Sequence, residues 1–156
     1  MTTNQNMNYE TATFEELSTL KSGTILEDAY LNGVRYIIVR GPVALCAYVG
    51  VPSGHPLANR DYNELPLSVH GGLTYAGEGD DKPWPKGYYW YGWDYGHYGD
   101  VTFYDLIPGF SPLHDGFSPL HDRAATRWTF KQVKSEIWDA TYEFSRLVKL
   151  VEKVTQ

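Results

Sequence analysis

The feature that most restricts this fold is a long one-sided stripe at the C-terminal end of the chain. Val133, Ile137, Ala140, Phe144, Leu147, Val151 and Val154 recur at steps of three and four residues, the period of one helical face. Lys134, Asp139, Glu143, Arg146 and Lys153 lie largely off that face. Thr129 with Gln132 forms a capping box that marks the start. The pattern predicts a helix of roughly 25 residues, which must lay its apolar side on a partner surface. The same stripe is long enough to support a homo-oligomer, although covering a sheet needs no further assumption.

The preceding segments supply that sheet. Thr13-Phe14-Glu15-Glu16 is a second capping box, and it predicts a short helix over 14–21 that buries Phe14, Leu17 and Leu20 and stops at Gly23. Residues 24–31 run into Asn32-Gly33, a strong hairpin signal. Val34–Arg40 is rich in β-branched and aromatic residues, and Gly41-Pro42 turns the chain into Val43–Val51. Both of these strands are apolar on both faces, so each face of the sheet needs a cover. An antiparallel meander is the simplest connection. Further strands are predicted at Leu67–His70, Tyr88–Asp94 and Val101–Ile107, with 52–66 as an ordered loop and 76–87 as an exposed acidic connector. The fold class is α+β: an antiparallel sheet packed against the long C-terminal helix, with a short N-terminal helix. Residues 1–12 read as a disordered tail and 13–156 as a single domain.

Charge and cysteine content remove several functions. A formal charge of −6, from 13 Lys+Arg against 19 Asp+Glu, speaks against a groove for duplex nucleic acid. Cys46 is the only cysteine, so the chain has no internal disulfide and no CxxC zinc site. It sits in an apolar strand and reads as a core residue in a reducing, cytoplasmic setting. No apolar run approaches the length of a membrane span, and the polar start does not read as a signal peptide. Residues 109–115 and 116–122 are both GFSPLHD, a tandem copy suited to a surface loop. The duplication argues against a catalytic role for His114 or His121.

The chemistry concentrates in residues 54–100, which hold His55, His70 and His97 among many glycines. Eight of the fifteen residues from Trp84 to Tyr98 are aromatic, which predicts flat walls beside backbone that something can approach closely. CAYVGVPSGHPL, SVHGGLTYAGE and WYGWDYGHYGD together resemble a family of small proteins common in tailed-phage genomes. The resemblance covers roughly residues 46–100 and follows the order VGVPxGHPL, VHGGLTxxG, WxGxDxxHxGD. It implies a shared site formed by His55, His70, Gly71, Gly72, Asp94, His97 and Asp100. Many members carry Cys-Ala before the last His where this chain has Tyr95-Gly96, so a thiol is not required there.

Three functional readings follow. In the first, the pocket is non-enzymatic and binds a small polar, nucleotide-like ligand. Trp93 joins the site as a stacking wall, and Arg60, Lys82 and Lys86 are the nearby cations for phosphates. The phage resemblance implies that such sequestration counters host defence in the host cytoplasm. In the second, His70, His97 and a carboxylate, Asp94 or Asp100, hold Zn or Mn and activate water for hydrolysis. In the third, an acidic face inhibits a host or defence protein.

Overall fold

A computed structural model describes residues 6–109 and 125–155. The elements in chain order are α1 (Phe14–Ser18), β1 (Thr24–Leu31), β2 (Val34–Arg40), β3 (Leu45–Pro52), β4 (Tyr75–Glu78), β5 (Tyr88–Asp94) and α2 (Phe130–Val154). Two 3-10 turns, Tyr62–Glu64 and Phe103–Leu106, lie in the connections. All strand pairings are antiparallel, in the order β1-β2-β3-β5-β4. This is the expected α+β class, with a meander only through β3. The chain then leaves the sheet and returns as a β4–β5 hairpin placed with β5 against β3.

Both predicted caps form. Thr13 accepts from Glu16 N–H while Glu16 accepts from Thr13 N–H, and Thr129 with Gln132 repeats the pattern at α2. Asn32 and Gly33 both have positive φ, as the tight β1–β2 hairpin requires.

The main core lies between α2 and one sheet face. Val133, Ile137, Ala140 and Phe144 of α2 are buried against Tyr36, Ile38, Ala47, Val49, Tyr91 and Trp93. Burial of each large side chain contributes about 1.5–3 kcal/mol. Leu147 and Val151 are only half-buried, and Val154 is 73% exposed. The stripe ends early because the helix outruns its support. Twenty-five residues span about 37 Å at 1.5 Å each, whereas an eight-residue strand spans about 26 Å.

The opposite sheet face has a different cover. Ile37, Val39, Tyr48 and Trp90 form a second buried cluster under Trp84, Tyr75 and Tyr88. Two glycines make this thin layer possible. A Cβ on Gly50 would meet the Trp90 ring at 2.7 Å, and one on Gly92 would collide with the Tyr48 ring. The rings therefore lie flat on bare backbone, and Trp84 stacks on Tyr75 at 4.9 Å. The glycine–aromatic block expected to approach a ligand instead approaches itself. Cys46 flanks this layer, and burial pushes its thiol up to about 11. Burial likewise pushes the Tyr91 hydroxyl up to about 12; that hydroxyl donates to Leu57 O.

Other expectations are corrected. Leu67–His70 is not a strand; its backbone is irregular, and Ser68 N–H donates to Glu143 Oε1. The strand lies later, at Tyr75–Glu78, inside what read as an exposed connector, and 79–87 folds back as its hairpin loop. Residues 101–107 hold a 3-10 turn capped by Asp105 rather than a strand. Within residues 6–12, Ala12 is buried, Tyr9 meets the Phe130 ring at 6.1 Å, and Glu10 pairs with Lys134 at 2.8 Å. Apart from Gly109, the GFSPLHD copies lie outside the described residues. Among the described residues, no helix is long and apolar enough to cross a membrane.

Candidate functional site

Three separate segments meet where β5 ends. After Asp94 the chain turns sharply, with Gly96 N–H on Asp94 Oδ1 and Asp100 N–H on His97 O. Residues 99–101 then pair with Thr126 through a short parallel bridge, which delivers Trp128. The third segment is the turn Val69–Gly72, closed by Gly72 N–H on Val69 O, with Gly71 and Gly72 both at positive φ. Its apex carries His70.

Asp100 is the hub. It is 5% exposed and accepts three hydrogen bonds. Oδ2 takes His70 Nε2 at 2.8 Å and His97 N–H at 2.9 Å, and Oδ1 takes Trp128 Nε1 at 2.8 Å. A carboxylate can only accept, so His70 donates through Nε2–H, and in the neutral imidazole Nδ1 is the acceptor. Nδ1 has no hydrogen-bond partner among the described residues, and the side chain is 25% exposed. The imidazole is clamped by rings: it stacks on Tyr95 at 4.8 Å and meets the edges of Trp128 at 4.9 Å and His97 at 5.7 Å. Hydrogen bond and rings together hold the base in one orientation.

A second chain of hydrogen bonds leads to α2. Trp93 Nε1–H donates to the Tyr95 hydroxyl at 3.0 Å, which donates to Glu136 Oε1 at 2.7 Å. Burial raises the pKa of that hydroxyl well above the tyrosine range, so it keeps its proton and remains a donor. His70, Trp93, Glu136, Asp139, Ser68 and Val69 line a cavity of about 560 Å³, within the range of small-molecule sites. Among the described residues, no Lys or Arg lines it. An outer cavity of about 690 Å³ continues along α2 past Asp139 and Glu143.

The expected site residues therefore divide. His70, Gly71, His97, Asp94 and Asp100 come together. A Cβ on Gly71 would collide with the His97 imidazole, so the missing side chain is what admits that ring. His97 Nε2 is 3.4 Å from Asp94 Oδ1 but misaligned, and it is buried without a hydrogen-bond partner. Gly72 is adjacent, with open space where a side chain would project.

His55 does not join the site. Its Nε2 pairs with Glu152 at 2.8 Å, sixteen residues beyond Glu136, or about 24 Å along α2. Trp93 is 1% exposed, so it borders the cavity through the core and offers no free face for stacking. The cations are also misplaced. Arg60 lies 3.9 Å from Glu64, and Lys82 and Lys86 occupy the loop at the far end of β5, about 20 Å from Asp94. The metal alternative fails on geometry: among the described residues, no three His, Cys, Asp or Glu side chains converge to hold an ion, so His70, His97 and Asp100 are not a ligand set. Asp100 is occupied with its three donors, and His97 turns its Nε2 toward Gly71.

Trp128, Tyr95, Glu136 and Asp139 were not anticipated. Glu136 and Asp139 are one helical turn apart on the polar flank of α2, a spacing visible in the sequence. Nothing local links Trp128 to Asp100, 28 residues earlier. No family model, curated protein or solved structure matches this chain.

Proposed function

We propose that the protein binds a small polar ligand in the cavity beside His70 and holds it without converting it. The observation that carries this reading is the buried Asp100, which fixes His70 at the border of a cavity also lined by Glu136 and Asp139. Glu136 and Asp139 are acceptors, and Ser68 adds a hydroxyl that can donate or accept. A ligand that brings donors, such as ring N–H, amino or ammonium groups, matches this excess of acceptors. If it is nucleotide-like, it is recognised through its base, because among the described residues no cation lines this cavity. The phage resemblance supports an accessory role in which such capture counters host defence.

The test is to incubate the protein with a panel of nucleosides, linear and cyclic nucleotides and small amines. Filtrates are then compared before and after heat denaturation, beside His70→Ala and Glu136→Gln. The expected result is depletion of a donor-bearing compound and its intact recovery on denaturation, both lost in His70→Ala. Conversion to a product overturns the sequestering role. A panel that passes unbound overturns the pocket and favours the acidic protein-binding inhibitor.

A further inference from the structure

The exposed side of α2 carries a second pattern that ligand binding does not use. Trp138, Tyr142, Arg146, Leu150 and Val154 follow at four-residue steps and form one continuous ridge. The four apolar members are 48%, 57%, 61% and 73% exposed. Such residues are costly to leave in water as a contiguous row.

The charges beside this ridge are arranged symmetrically about Arg146. Asp139 and Glu143 lie seven and three residues before it, and Lys153 and Lys149 lie seven and three residues after it. Among the described residues Asp139, Lys149 and Lys153 make no ion pair; Glu143 holds Ser68 N–H through one oxygen. In two antiparallel helices related by a two-fold axis at Arg146, each position lies level with its mirror position. At about 100° per residue Asp139 and Lys153 both lie about 20° from the Arg146 direction and so oppose each other across the seam, with Tyr142 level with Leu150 beside them, each pair occurring twice. A parallel pairing would set Asp139 on Asp139 and Lys153 on Lys153.

We propose that this face of α2 binds a second copy of the same chain, antiparallel and centred on Arg146. The antiparallel arrangement also opposes the two helix dipoles. The overhang of α2 beyond the sheet becomes intelligible, since Leu150 and Val154 have no sheet beneath them and gain a partner. Tyr142, Arg146 and Leu150 line the outer cavity, so the second copy closes the groove that leads away from His70.

Sedimentation velocity over a dilution series of the full chain tests this. The expected result is a reversible dimer whose dissociation constant rises about tenfold in Lys153→Asp, where two symmetric ion pairs become repulsions. The double variant Asp139→Lys/Lys153→Asp exchanges the charges and is expected to restore wild-type affinity. Leu150→Asp is expected to be monomeric. All of these positions are exposed, and thermal melts confirm that each variant is folded. A wild-type monomer at every concentration overturns the proposal. So does a dimer that ignores Leu150→Asp, is strengthened by Lys153→Asp, or is not restored by the charge exchange.

Discussion

Gly71→Ala tests the site more sharply than removal of any histidine, because Gly72→Ala supplies its own control. Both glycines sit at nearly the same positive φ, +70° and +78°. Either alanine therefore carries the left-handed penalty of about 1–2 kcal/mol. The surroundings differ. A Cβ on Gly72 meets nothing within 4 Å, whereas one on Gly71 falls 2.5 Å from His97 Cδ2 and collides with Nε2. Relieving that contact moves the ring by about 1 Å, and overpacking of this kind adds about 1–3 kcal/mol. The expected losses are about 1–2 kcal/mol for Gly72→Ala and about 2–5 kcal/mol for Gly71→Ala. At about 2–4 °C per kcal/mol for a domain of this size, the melting points should separate clearly. Urea unfolding followed by tryptophan fluorescence measures the difference. The histidine ring resonances report whether His97 and its neighbour His70 have moved. Equal destabilisation by the two variants, with unchanged ring resonances, refutes the packing of His97 onto Gly71.

Further outcomes follow from the same geometry. Asp100→Ala strands three donors, His70 Nε2, His97 N–H and Trp128 Nε1, and is expected to cost about 3–5 kcal/mol in urea unfolding. Gly92→Ala, which forces Tyr48 off the sheet, is expected to cost about 1–3 kcal/mol by the same measurement. His55→Ala removes an ion pair with Glu152 and leaves the Leu57 N–H without its Nδ1 acceptor, so it is expected to cost about 1–3 kcal/mol and to leave ligand depletion unchanged. Burial holds the Cys46 thiol protonated up to about pH 11, above its value of 9.0 in water. The unfolded chain releases that proton first, so stability is expected to fall as pH rises from about 9 to 11, and Cys46→Ala to flatten the fall. Iodoacetamide at pH 8 is expected to label the folded protein far more slowly than the urea-unfolded protein.

The sequence by itself determined what depends on local periodicity and capping. Thr13 and Thr129 announce their helices because a cap and its partner are only three residues apart. The Asn32-Gly33 turn and the strands beside it are legible for the same reason, as is the stripe from Val133 to Phe144. His70, His97, Asp94 and Asp100 were singled out as residue types grouped along the chain. Only the tertiary structure decided which of them meet. Asp100 collects donors from positions 70, 97 and 128, and that convergence depends on a turn, a strand end and a bridge to Thr126 acting together. His55 belongs to the same motif-rich segment yet pairs with Glu152, because the chain leaves β3 toward the opposite end of α2. The aromatic–glycine block shows the limit most clearly. Spacing alone cannot say whether a bare backbone admits a ligand or the protein's own rings, and here strand register places Trp90 over Gly50 and Tyr48 over Gly92. Register is a property of paired strands, and no single strand contains it.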